Sequence, residues 1–203
     1  MKRRLLLAAL FWSPAAGAAE MRPDVIKPGQ HVRGRFTLER RLEGFARPLL
    51  SRGAFLLVPG RGLIWHSETP FDTVLALGAG GIVQLQDGRE AMRLPASRAP
   101  MIGQLYEVLS AALAGDADRL SLVFAATWQS GADRWQLGLT SPSGKDLAMA
   151  QIASIEVFGG RLAERVLVRR QNGDSDLLTF AEQSVGPAAP TADEEALLRQ
   201  IGP

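Results

Sequence analysis

Two short constellations in the 203-residue chain carry residue types that do chemistry. His66, Ser67 and Glu68 are consecutive, and they are the three types that a hydrolytic triad uses as base, nucleophile and orienting acid. Adjacent residues of a strand point to opposite faces, however, and no Gly-x-Ser-x-Gly elbow presents Ser67, so the trio reads as strand. The run Gly78-Ala79-Gly80-Gly81 has the glycine density of a phosphate-cradling loop. Val83 stands where the third glycine of that motif belongs, strand pattern follows in place of a helix, and no Lys-Ser or Lys-Thr pair comes after it. It reads as a hairpin turn. Cysteine is absent and histidine occurs only as His31 and His66, which removes thiolate metal sites, disulfides and cysteine nucleophiles and leaves too few ligands for a histidine metal centre. His31 reads as solvated, and Asp193-Glu194-Glu195 as the acidic first turn of a helix, complementing its dipole. No catalytic residue, metal site or cofactor is expected.

The formal charge of +2 comes from the extreme N-terminus. Lys2, Arg3 and Arg4, an apolar run from Leu5 to Trp12, a Ser13-Pro14 break and the small residues Ala16-Gly17-Ala18 have the order of a secretory signal. Residues 1–18 are read as a signal peptide cleaved near Ala18/Ala19, which places the mature protein in a periplasm. The apolar run is far shorter than the ~20 residues that a spanning helix needs, so no stable membrane insertion is expected. Without the three leading bases the chain holds 20 basic and 21 acidic residues. With no basic patch interleaved with aromatics, no nucleic-acid partner is expected.

The elements that must position any site are mostly strands. Residues 19–31 hold Pro23, Pro28 and Gly29 and read as an irregular arm. From His31 the period is two: Val32, Gly34, Phe36, Leu38 and Arg40 alternate with Arg33, Arg35, Thr37, Glu39 and Arg41. Further strands are predicted over 53–58, 63–67, 71–77 and 82–86, with a turn at Asp87-Gly88. Between Ser97 and Gly115 the period changes, and Ile102, Leu105, Tyr106, Leu109 and Leu113 form the stripe of an amphipathic helix. Period two then returns, with Leu120, Leu122, Phe124, Ala126 and Trp128 assigned to one strand face. A strand around Trp135–Leu139, a turn at Pro142-Ser143-Gly144 and a strand over 151–158 follow. The last hairpin, 162–170 and 177–183, turns at Asn172-Gly173. A 186–190 linker leads to a short helix in which Thr191 and Glu194 have capping-box spacing. Residues 32–203 are read as a single domain.

Roughly nine short strands cannot stay flat, because strand twist curls or closes such a sheet. Phe55–Val58 and Leu63–Trp65 are apolar on both faces, and two helices are too few to fill the concave side. An unfilled apolar hollow is one reading of this pattern. A closed barrel filled by its own side chains is the other.

The segment from Arg35 to Pro70 carries a resemblance. Phe36, Gly44-Phe45, Pro48-Leu49, Ser51, Gly53, Phe55, Pro59-Gly60-Arg61-Gly62-Leu63-Ile64-Trp65 and Pro70 resemble the LolA family of periplasmic carriers of outer-membrane lipoproteins, and especially its divergent LolA-like branch. The resemblance covers most of residues 32–183 and is sharpest over 53–70. It implies a mainly β (α+β) fold: an incomplete, curved antiparallel β-barrel with a helical lid, whose hollow shelters acyl chains without catalysing a reaction. It also implies cargo and partners, namely an acylated lipoprotein or other lipidated molecule, an inner-membrane exporter and an outer-membrane acceptor. The family's leucine-rich N-terminal helix has no counterpart in Met21–Gln30. Val58 stands where the better-studied carriers place a basic residue, and Leu38 replaces a customary glutamine. These departures favour a specialised paralogue.

The function expected is that of a monomeric periplasmic carrier, or chaperone, for acyl chains. Phe36, Leu38, Phe55, Leu57, Leu63, Trp65, Leu75 and Leu77 are the candidate lipid-binding lining, facing Ile102, Leu105, Tyr106 and Leu109 of the lid. Arg61 is the candidate latch on that lid. An envelope regulatory or sensor module built on the same half-barrel is the alternative, and an enzyme acting on lipid intermediates has no supporting constellation.

Overall fold

In a computed structural model of the chain, the described residues are 21–27, 29–98, 101–122, 124–140 and 151–202, with the side chains of 101–105 and of 117 excepted. The signal segment 1–18, its cleavage position and the Pro142-Ser143-Gly144 turn lie outside them. Eleven strands form one antiparallel sheet: β1 (His31–Arg41), β2 (Leu49–Val58), β3 (Gly62–Thr69), β4 (Thr73–Gly78), β5 (Gly81–Gln86), β6 (Arg89–Pro95), β7 (Ala125–Ser130), β8 (Trp135–Thr140), β9 (Ile152–Gly159), β10 (Ala163–Arg170) and β11 (Ser175–Gly186). The spatial order is β6-β5-β4-β3-β2-β1-β11-β10-β9-β8-β7. Two meanders are therefore joined where β1 pairs with β11, and β6 and β7 are the two open edges. The chain crosses from one edge to the other through a 3-10 turn (Ala96–Arg98), α1 (Met101–Leu113) and α2 (Ala117–Ser121).

Curvature follows from the core. Phe36 on β1, Phe55 and Leu57 on β2, Leu137 and Leu139 on β8, and Val157 on β9 belong to one buried cluster with Val108, Ala111, Ala112 and Leu113 of α1. Strands so far apart in the sheet share a cluster only if the sheet curls toward that face, and α1 lies across the hollow so formed. This is the open, curved sheet with a helical lid that the sequence led one to expect. Two glycines let the strands approach. A Cβ on Gly34 would come within 2.8 Å of the Phe55 ring, and one on Gly53 within 1.8 Å of the His66 carbonyl oxygen.

The opposite, convex face is also apolar under β2–β5. Here Leu56, Val58, Ile64, Ala76 and Val83 meet Leu197, Leu198 and Ile201 of α3 (Ala192–Ile201). That accounts for the strands that read as apolar on both sides: each side has its own helix. The α3 N-terminus carries the expected capping box, Thr191 with Glu194. The acidic turn does more than complement the dipole. Glu194 takes a two-pronged hydrogen bond from Arg33 at 2.6 and 2.8 Å, and Glu195 one from Arg61 at 3.0 and 2.7 Å. The Gly78–Gly81 run is the β4–β5 turn, and it is glycine-rich because the end of α3 sits on it. The Gly80 N–H donates to the Ile201 carbonyl at 2.9 Å, and a Cβ on Gly80 would lie 2.2 Å from the Gly202 oxygen.

Three expectations are corrected. Leu120 lies in α2 and Leu122 in the turn after it, so the strand begins only at Ala125; the Asp116 side chain caps α2 by accepting from the Arg119 N–H, and a side-chain cap outcompetes a weak alternation. Eleven strands form among the described residues where about nine were counted, and β6, at one open edge, had no counterpart in the pattern because nearly all of its residues are exposed. His31 is engaged, with Nδ1 2.8 Å from the Ala188 carbonyl oxygen. Among the described residues, no helix is long and apolar enough to cross a membrane.

Candidate functional site

The hollow is closed at one end. The arm before β1 has no regular structure, yet its Ile26 is buried in the main core. Its backbone is tied to the α1 C-terminus and to the β9–β10 turn: the Ile26 N–H donates to Ala114 at 3.0 Å and the Asp24 N–H to Arg161 at 2.7 Å. Gly115 ends α1 with φ +71°, a left-handed conformation that favours glycine, and a Cβ there would lie 2.6 Å from the Asp24 oxygen. Trp135, Leu137, Leu139 and Val157 fill this end.

The middle is packed by rings. Phe36 lies over Trp65 with centroids 3.8 Å apart, and Phe180 meets Phe55 edge-on at 5.3 Å. Beyond Trp65, toward the end where β1 turns into β2 and β10 into β11, packing stops short. A cavity of about 310 Å³ remains between the sheet and α1, at the small end of the roughly 300–1,000 Å³ that ligand cavities span. Its walls are apolar: Leu38, Leu63, Trp65, Leu75, Leu77 and Ile82 from β1 and β3–β5, Ile152, Ile155, Val168 and Leu178 from β9–β11, and Val108 and Leu109 from α1.

The candidate lining thus divides. Leu38, Leu63, Trp65, Leu75, Leu77 and Leu109 line the cavity. Phe36, Phe55 and Leu57 face the same side but are 3 %, 3 % and 0 % exposed and belong to the packed core. Tyr106 is buried against Leu77, and its burial pushes the phenol above its ordinary pKa. Ile102 and Leu105 lie on α1, and their side chains are outside the described set. Arg61 is drawn to the C-terminal helix. Its guanidinium clasps Glu195 of α3 on the convex side, because it sits in the β2–β3 turn on which the C-terminal helix packs.

Sequence reasoning missed the polar end of the cavity. Its three charged wall residues are Arg40, Arg170 and Asp176. Asp176 is 6 % exposed. Its carboxylate accepts from Arg40 Nε and Nη2 at 2.8 and 3.1 Å and from Arg170 Nη2 at 2.6 Å. Burial pushes the Asp176 carboxyl up, but the hydrogen bonds from both arginines outweigh it and hold the group below its ordinary pKa. The signal was present in the alternation: Arg40 continues the inward row Val32-Phe36-Leu38, Arg170 continues Val166-Val168, and Asp176 precedes Leu178-Phe180 in the same row.

A larger depression of about 770 Å³ runs beside α3 on the convex side. Of the charged residues in its wall, Arg33 pairs with Glu194, His66 with Asp72 at 2.7 Å, and Glu90 with Arg93. The His66-Ser67-Glu68 trio is dispersed among separate partners, with Ser67 on Ser51 and Glu68 on Arg35. Among the described residues no cluster of ligand types could hold a metal ion.

No family model matches the chain, and no curated protein matches it. Solved structures do. A LolA superfamily protein from Nitrosomonas europaea aligns over 84% of this chain and 92% of its own, at 12% identity and a TM-score of 0.47. A domain from Vibrio parahaemolyticus, described as an outer-membrane lipoprotein-sorting protein, aligns over 83% and 92% at 11% identity and 0.42. A chain of the MucA/MucB complex of Pseudomonas aeruginosa aligns over 82% of this chain but 55% of its own, at 20% identity and 0.35.

Proposed function

We propose that this protein is a periplasmic carrier that shelters an acyl chain of a lipoprotein, or of another lipidated molecule, between the concave sheet and α1. One observation carries the reading: an apolar cavity stays open beside a core that is otherwise filled, with twelve of its fifteen wall residues hydrophobic. At about 30 Å³ per small group, 310 Å³ holds roughly ten methylenes. Each methylene withdrawn from water contributes about 0.8 kcal/mol, so a chain of that length gains several kcal/mol on entering. That suits a carrier, which must hold cargo across an aqueous gap and still release it.

Cargo would be received from an inner-membrane exporter and surrendered at the outer membrane, with the carrier itself exported by residues 1–18 and acting as a monomer. A cargo with several chains requires α1 to move away from Leu63 and Leu77. Among the described wall residues the one carboxylate, Asp176, is engaged by Arg40 and Arg170, so sheltering is the chemistry that this site supports best.

Gentle purification of the protein from a periplasm, followed by mass spectrometry under non-denaturing conditions, tests the reading. Co-purifying acylated species are expected, and they should be lost from Trp65→Glu protein that keeps its β circular-dichroism signal. Protein that is empty on repeated isolation, and takes up no acyl chain offered to it, overturns the carrier reading.

A further inference from the structure

The cavity has one chemically distinct end. Among the described wall residues, Arg40 and Arg170 both face one carboxylate, Asp176. Asp174, in the β10–β11 turn outside the cavity wall, accepts from the Glu43 N–H and from Asn172 Nδ2, both at 2.9 Å, and attracts both guanidinium groups through space. An anion entering the apolar cavity would meet these two guanidinium groups at its rim, where partial desolvation weakens the screening of their charge. The side chain of Arg170 is 28% exposed and that of Arg40 44%, which leaves donor N–H groups of both open toward a ligand. A guanidinium presents these donors in the planar fork that matches a carboxylate or a phosphate.

We propose that the site takes an amphiphile with an anionic head, its acyl tail running past Leu38, Trp65 and Leu77 and its carboxylate or phosphate held by Arg40 and Arg170. This rests on the carrier reading and narrows it. The cargo is selected at its head as well as by its chain, and the closed end of the barrel, plugged at Ile26, makes the head enter last.

The test is calorimetric titration of the intact mature protein with decanoate, decyl phosphate and decan-1-ol, which share a tail of the length that the cavity holds. Both anions should bind at least tenfold more tightly than the alcohol, and the ratio between them distinguishes a carboxylate head from a phosphate head. In Arg170→Gln the anion-to-alcohol ratio should fall about tenfold, and in Asp176→Asn, which removes the carboxylate that competes for both arginines, it should rise. Arg40→Gln serves where Arg170→Gln does not fold. Equal affinities for all three ligands, or a ratio unmoved by these substitutions, overturns the headgroup assignment while leaving the carrier reading standing. Failure of all three to bind overturns both.

Discussion

Asp176 stands directly opposite Arg40 in the β1–β11 ladder, and its Oδ1 lies 2.8 Å from the Arg40 Nε. The two are 136 residues apart in sequence, so this pair exists only because the last strand closes against the first. It fixes the polar end of the hollow and ties together the two meanders.

The pair makes stability pH-dependent in a stated direction. A carboxyl held below its ordinary pKa contributes stability that is fully present above the unfolded value, about 3.9 for Asp, and is lost as pH falls through the folded value. Acid unfolding of the wild type should therefore steepen below about pH 4. Asp176→Asn removes that component and costs on the order of 1–2 kcal/mol at neutral pH, less than a dry pair would, because Arg40 remains partly solvated. Urea midpoints between pH 3 and 7 check both statements; parallel curves for the two proteins would contradict them.

Filling the cavity should abolish uptake without harming the fold. Leu109 projects from α1 into the cavity and is only partly buried, so Leu109→Trp has space to occupy. Decanoate affinity should drop more than tenfold while the urea midpoint moves by less than about 1 kcal/mol equivalent. Calorimetry beside denaturation gives both numbers.

α3 is held by apolar contact more than by its ion pairs. Leu198 and Ile201 are 1 % and 0 % exposed, and truncating either to alanine should cost about 2–5 kcal/mol. Arg61→Ala removes a pair whose members are 43% and 33% exposed and should cost about 0–1 kcal/mol. Chemical denaturation of the three variants ranks them, and the opposite order would show that the latch dominates.

Two glycines separate steric from conformational demand. Gly53→Ala drives a Cβ into the His66 backbone, where nothing flexible can yield, and should cost on the order of 3 kcal/mol through a broken β2–β3 register. Gly44→Ala meets open space at φ +83° and should cost only about 1–2 kcal/mol of backbone strain. Denaturation midpoints check the contrast.

Local chemistry alone determined much of the fold. The alternation from His31 to Arg41 needs no partner to be legible, the Asn172-Gly173 turn supplies the φ of +89° that its hairpin requires, and the Thr191–Glu194 cap is satisfied within one turn. These signals span a few residues, and so they survive in the sequence. The inward rows were legible as well, which is why six candidate residues line the cavity. Tertiary structure decided which part of the hollow stays open: Phe36, Phe55 and Leu57 have the same periodicity as Leu38 and Leu63, and only the arrival of Phe180 from β11 distinguishes filled from vacant space. It also sent α3 to the convex face, taking Arg61 with it, and it brought Arg40, Arg170 and Asp176 together from three strands. Periodicity tells which way a side chain points, whereas what it meets there depends on strand pairings that close over more than a hundred residues.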